Sequence, residues 1–196
     1  MNKNILKGTM FFTIVLIIYL IINNFSKLRD TYLVMIGLDD KIPLIPLFVL
    51  FYFSLYILIF LPFILNKDVK DVLKVYTVIL LISFIVFIVF PTEIIRPILG
   101  NSFFENILRI FWDFLPPHSA FPSMHVSLGL AAVYFLKDKL NKIVLFSWFF
   151  FVLLSTLFLK QHYILDIVSG LLLASVVLLI KRNKKLWSKI FFILKF

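Results

Sequence analysis

Long uninterrupted runs of Leu, Ile, Val and Phe dominate the chain, and they leave few folds open to it. Six can be read, at about residues 9–25, 44–65, 72–90, 121–136, 142–159 and 163–180. In lipid every backbone N–H and C=O must be paired within the protein, so only helices or closed barrels cross a bilayer. These runs are continuous rather than alternating, which opposes barrel strands and predicts helices. A hydrocarbon core of about 30 Å takes roughly 20 helical residues. The 196 residues, 62% of them apolar, therefore have room for six crossings and brief connections. The expected fold is all-α: a single membrane-embedded domain over residues 1–196, built as a polytopic bundle of six transmembrane helices. A soluble helical bundle would need polar faces that most of these runs lack.

Net charge is +10, with 20 Lys and Arg against 10 Asp and Glu. In a chain this apolar the excess orients the protein and meets anionic lipid, and a nucleic-acid partner is not expected. If the six runs alternate in direction, 14 of the 20 basic residues fall on the side of the amino terminus, including Lys67, Lys70, Lys74, Lys137, Lys139 and the Lys181–Lys195 tail. The other side holds Lys27, Arg29, Lys41, Arg96, Arg109 and Lys160. The positive-inside rule then predicts a plasma-membrane protein with both termini cytoplasmic, and with the 91–120 loop and the turn at Lys160 outside. The first run resembles a signal peptide in charge and length, but Asn23, Asn24 and Phe25 follow it rather than a small-x-small site, so a retained first helix is expected. The absence of cysteine excludes disulfides and thiol chemistry.

Two stretches have interfacial character. The tail from Lys181 to Phe196 interleaves lysines with Leu186, Trp187, Ile190, Phe191 and Leu194, as a helix lying on an anionic leaflet would. In the outer loop, Ser102-x-x-Glu105 has the form of a capping box, and a short amphipathic helix is expected from there to Pro116 and Pro117.

Most charges at the ends of spans are solvated flanks. Arg96, His125, Lys160, His162 and Asp166 are the exceptions, because all five fall on the outer side although they come from separate junctions. His162 and Asp166 are four apart and would share one helix face. A carboxylate there can accept from one imidazole nitrogen, fix the tautomer and leave the other nitrogen as nucleophile or base. His125, at the same face, can serve as a general acid for a leaving oxygen. Phosphate is the electrophile these neighbours suit. Pro122 fits the start of a helix, so Ser123 and the following amides would offer N–H groups to an anion. Arg96 offers a planar fork, and Lys160 a mobile charge. The scheme needs no metal or cofactor. Two histidines and a carboxylate could instead bind zinc or iron, but the basic partners would repel a cation. His118, beside Pro116 and Pro117, is expected to be a plain loop residue, Trp148 to be packing, and Asp39 and Asp40 to form a solvated turn.

Three blocks in this region resemble the motifs of the type 2 phosphatidic acid phosphatase superfamily, in that family's order. Phe90-Pro91-Thr92-Glu93-Ile94-Ile95-Arg96-Pro97 resembles its Lys-x6-Arg-Pro, Pro122-Ser123-Met124-His125 its Pro-Ser-Gly-His, and Ser155-x6-His162-x3-Asp166 its Ser-Arg-x5-His-x3-Asp. The resemblance covers about residues 90–170. It implies that His162 becomes the phosphorylated nucleophile, Asp166 orients it, His125 protonates the leaving alcohol, and Arg96 and Ser123 contact phosphate. Val89, Thr156 and Met124 stand where the family has lysine, arginine and glycine. Lys160 is placed to supply a missing charge. These departures resemble the branch containing inositol phosphorylceramide and sphingomyelin synthases.

The resulting expectation is a membrane enzyme acting on a lipid phosphate or diphosphate at the outer leaflet, with membrane lipids as its surroundings and water as the acceptor. The alternative is transfer of a phospho-headgroup onto a lipid alcohol. A small proton-coupled transporter, with His162 and Asp166 as a relay, is a third reading, but it would want ionisable groups near mid-membrane rather than at span ends. The residues set neither the lipid nor the oligomeric state.

Overall fold

The structure is a computed structural model and describes residues 2–193. Eight helices account for most of it: α1 (Lys3–Ser26), α2 (Val49–Leu65), α3 (Lys70–Val89), α4 (Phe103–Phe114), α5 (Met124–Leu136), α6 (Lys142–Phe158), α7 (Ile164–Arg182) and α8 (Lys184–Ile193). The fold is all-α, as the continuous apolar runs require. Four helices among the described residues are long and apolar enough to cross a bilayer: α1, α2 with its preceding 3-10 turn (Pro46–Leu65), α3 and α7. The other two apolar helices are shorter. α5 has 13 residues and α6 has 17, or about 20 and 26 Å of rise.

α5 is the centre of the bundle, in contact with α2, α3, α6 and α7, while α1 packs across α2 and α3. Its composition explains how one helix can carry so many neighbours. Ser127, Gly129, Ala131 and Ala132 are all buried, and small residues let helix backbones approach where lipid supplies no hydrophobic drive to association. At Gly129 an added Cβ would lie 2.7 Å from the Phe149 ring. Ser123 caps the helix, its Oγ accepting from the Val126 N–H at 3.3 Å. The helix therefore starts three residues later than the apolar run suggests.

The six apolar helices alternate in direction, so their connections sort to two ends. At one end Asn4 Nδ2 donates to the carbonyls of Asn66 and Lys67 at 3.0 and 3.1 Å, and Lys181 pairs with Asp71 at 3.0 Å. At the other end, segments 27–48, 90–123 and 159–163 weave a cover over the bundle. Two-residue strands β1 (Tyr32–Leu33) and β2 (Thr92–Glu93) pair in parallel within it, and Glu93 also bridges to His118. This small ladder lies outside the apolar runs, where loop backbone still has to find partners. The amphipathic helix expected after Ser102 is α4, and both bonds of its capping box form: Ser102 Oγ accepts from the Glu105 N–H at 3.4 Å, and Glu105 accepts from the Ser102 N–H at 3.0 Å. α8 supplies the tail helix. Its Phe191 ring lies 4.6 Å from the Lys74 ammonium. Leu194, also expected in that tail, lies outside the described residues.

Asp39 corrects the expectation of a solvated turn. It is only 3% exposed, its carboxylate accepts from the N–H groups of Ile36 and Ile164 at 2.8 and 2.9 Å, and its carbonyl accepts from Lys160 Nζ at 3.0 Å. An acidic group at the amino end of α7 satisfies an otherwise orphaned helix N–H and complements the helix dipole. The side chain thus ties the 27–48 segment to the turn before α7.

Candidate active site

The covered end of the bundle gathers His125, His162 and Asp166. His125 stands in the first turn of α5. His162 lies in the turn before α7, which opens at Ile164, so the His162–Asp166 pair spans the helix start rather than a helix face. The turn holds its place because the N–H groups of Gln161 and His162 both donate to the Thr156 carbonyl, at 2.9 and 3.1 Å. Asp166 is fully buried. Its Oδ2 accepts from the Tyr163 N–H at 2.9 Å and faces His162 Nδ1 at 3.4 Å. The second distance is long for a hydrogen bond, and catalytic contacts often tighten only around substrate. Across the site His125 Nδ1 lies 2.9 Å from His162 Nε2.

Hydrogen positions follow from what each atom can do. An ionised carboxylate only accepts, so His162 donates Nδ1–H to Asp166 and keeps its Nε2 lone pair. The short contact then assigns the bridging proton to His125 Nδ1. His125 Nε2 is left as an acceptor, 3.0 Å from the Tyr52 hydroxyl. A single chain of hydrogen bonds, Tyr52 to His125 to His162 to Asp166, results.

α5 and α7 are locked together beneath this chain. The Ser123 N–H donates to the Asp166 carbonyl at 3.0 Å, and Ser127 Oγ donates to the Ser123 carbonyl at 2.7 Å. Gly170 makes the approach possible, since a Cβ there would sit 2.6 Å from the Ser123 carbonyl oxygen. Gly170→Ala is expected to force the backbones apart, lowering stability by about 1–3 kcal/mol and lowering activity as His125 shifts from His162. Thermal unfolding and turnover of the purified variant check both parts.

The remaining expected contacts are placed unevenly. Arg96 lines the same cavity as the two histidines. One guanidinium nitrogen, Nη1, donates to the carbonyls of Trp112 and Leu115 at 3.0 and 2.8 Å, and the group stacks 5.1 Å from the Trp112 ring centre. Burial pulls its pKa down to about 10, which leaves it charged at neutral pH. Ser123 is buried and its N–H and hydroxyl serve the two helices. Lys160, in the left-handed region at φ 50, sends its ammonium to the Asp39 carbonyl and does not line the cavity. His118 does line it, and its Nδ1 has no hydrogen-bond partner among the described residues. Burial lowers its pKa. Among the described residues no group of three His, Cys, Asp or Glu side chains is arranged to hold a metal ion.

The cavity holds about 340 Å³. It begins at Arg96, His118, His125 and His162 and runs into the bundle between α1, α2, α3 and α5, past Tyr19, Tyr52, Tyr56 and Met124 to Phe12, Ile59, Phe60 and Leu80. Along α2 alone, from Tyr52 to Phe60, it is about 12 Å deep. In the sequence residues 44–65 read only as an apolar span, and nothing there singles out Tyr52. Tyr52 and Tyr56, four apart, put two hydroxyls on one face of an otherwise greasy segment, and polar groups in membrane spans face the bundle interior.

No curated protein and no solved structure matches the chain. Residues 113–180, which carry His125, His162 and Asp166, match the sequence model of the PAP2 superfamily, whose members are phosphatases and phosphotransferases. The match takes in the second and third motif-like blocks, so this segment, about a third of the chain, is similar to the PAP2 superfamily.

Proposed function

We propose that this protein is a six-span enzyme of the plasma membrane, with cytoplasmic termini and an outward-facing site, that hydrolyses a lipid phosphate or diphosphate through a phosphohistidine. The observation that carries the reading is the Asp166–His162–His125 chain opening directly into an apolar cavity. In the first step His125, given a second proton by the bound phosphate monoester, protonates the lipid oxygen from Nδ1 as His162 Nε2 attacks phosphorus and the bond to that oxygen breaks. In the second, water attacks phosphorus, the N–P bond breaks, His125 Nδ1 takes the water proton, and His162 is restored. Arg96 sits at the cavity mouth to balance charge on the transferring group. Ser123 fixes the first turn of α5, and Lys160 steadies the turn before His162 through Asp39. The cavity, apolar along α1, α2 and α3, takes the substrate's hydrocarbon. The two shorter helices span with help from their flanks, the 115–123 segment before α5 and the Leu159–Gln161 turn after α6.

A second reading is favoured by the scarcity of cations. Val89 and Thr156 replace family-like basic positions, and Lys160 turns to Asp39, so Arg96 is the one basic Lys or Arg among the cavity-lining residues. One positive charge suits the single negative charge of a phosphodiester, as in headgroup transfer to a lipid alcohol. Purified protein offered phosphatidic acid, an isoprenyl diphosphate and phosphatidylcholine, with and without a long-chain alcohol, separates the two. Inorganic phosphate from the monoesters supports hydrolysis, a new headgroup-bearing lipid from the diester supports transfer, and neither product from any of them would overturn both.

A further inference from the structure

We propose that Tyr52 is a positioning residue for His125, holding the tautomer in which the transferable proton sits on Nδ1 and faces His162; this rests on the phosphohistidine reading above. Tyr52 comes from α2, outside all three motif-like blocks and outside the matched segment 113–180. Its side chain is 1% exposed, and its hydroxyl stands 3.0 Å from His125 Nε2, with ring centres 5.2 Å apart.

The need for this contact follows from the proton assignments. A neutral imidazole carries one N–H, on either nitrogen. If His125 carried it on Nε2, its Nδ1 lone pair would face the His162 Nε2 lone pair at 2.9 Å, and no acid proton would point at the reacting centre. A hydroxyl donating to Nε2 makes that alternative unfavourable. The same hydroxyl can also accept: when His125 gains a second proton during turnover, Nε2–H donates back to the tyrosine oxygen. Phenylalanine would do neither, and a buried imidazole nitrogen left without its partner is unfavourable.

The ring itself has a separate job. It packs 5.2 Å from Phe111 and 6.1 Å from Phe53, so Tyr52→Phe keeps the packing and removes only the hydroxyl. The titratable and charged groups around His125 are Tyr52 and Tyr56 from α2, His162 from the turn before α7, Tyr19 from α1 and Arg96 from the cavity mouth.

The test has a spectroscopic arm and a kinetic arm, both on the full chain in detergent or nanodiscs. The chain has three histidines, so ¹⁵N-histidine NMR resolves each ring once single substitutions assign the signals. Wild type is expected to show His125 protonated at Nδ1, and Tyr52→Phe to move it to the Nε2–H form or to a mixture. An unchanged His125 spectrum would overturn the proposal, whether or not any substrate is known. In the kinetic arm, phosphatidic acid has an alkyl leaving group that needs a proton and para-nitrophenyl phosphate has an aryl one that does not. In single turnover, Tyr52→Phe should slow the first roughly 10-fold to 100-fold and the second by less than about threefold. Equal losses on both substrates would also sink it. In a His125→Ala background the tyrosine change should add nothing. If His125→Ala itself shows no leaving-group selectivity, the general-acid role of His125 in the scheme above fails; if His125→Ala is selective and Tyr52→Phe is not, only the role of Tyr52 fails.

Discussion

His162→Ala is expected to abolish turnover of every lipid phosphate that the wild-type protein accepts, a loss on the order of 10⁴–10⁶-fold. The imidazole is the one side chain in the site with a lone-pair ring nitrogen at the reacting centre, opposite His125, and the other ring nitrogen facing a buried carboxylate. No neighbour can take over the attack. His125 needs its Nδ1 proton for the leaving oxygen, and His118 lies in the loop over the cavity mouth, bridged to Glu93. The chemical signature is as informative as the rate. A phosphorus–nitrogen bond is labile to acid and stable to base, so brief exposure of wild type to radiolabelled phosphatidic acid, followed by a base wash, should leave label on the protein. His162→Ala should retain none. Residual label in the variant, or wild-type rates without His162, would remove the covalent intermediate from the mechanism.

The path from chain to site shows which parts of this arrangement could be read in advance. Lipid imposes continuous apolarity on any crossing segment, so the six helices were visible as composition. Alternation of direction then sent Arg96, His125, His162 and Asp166 to one end by parity alone. What parity cannot supply is contact. The 2.9 Å bridge between the two imidazoles depends on how closely α5 and α7 approach, and that is decided by Gly170 under the Ser123 carbonyl, a residue whose only signal was a missing side chain. Lys160 shows the opposite case. Two positions before His162, it is placed by sequence to reach phosphate, but the ammonium goes instead to the carbonyl of buried Asp39, away from the cavity lining. Asp39 was hidden because a lone acidic residue beside Pro43 and Pro46 has the composition of a surface turn, and only the tertiary fold brings it to the start of α7. Tyr52 was hidden for a related reason: inside an apolar run a tyrosine reads as another large ring, and its hydroxyl gains meaning only from the histidine across the cavity.

His125→Ala carries the second large effect and separates acid catalysis from nucleophilic attack. With the imidazole gone, His162 and Asp166 keep their geometry, since neither takes its hydrogen bond with the other from His125, and the removed contact was a donor to His162 Nε2. The nucleophile is therefore less encumbered, while the leaving alkoxide finds no proton. Phosphorylation of His162 by alkyl phosphates should slow by roughly 10²–10⁴-fold, and phosphorylation by an aryl phosphate, whose phenolate leaves unaided, should slow far less. The phosphohistidine should also persist longer in the variant, because the hydrolysis step asks the same imidazole to take a proton from water. Single-turnover labelling with para-nitrophenyl phosphate checks this directly: a burst of nitrophenolate at near wild-type rate, followed by slow release of phosphate. A uniform loss across alkyl and aryl substrates, with no burst, would mean that His125 holds substrate or structure instead of carrying the proton, and the acid would have to be sought elsewhere on the cavity wall, with His118 the first residue to replace.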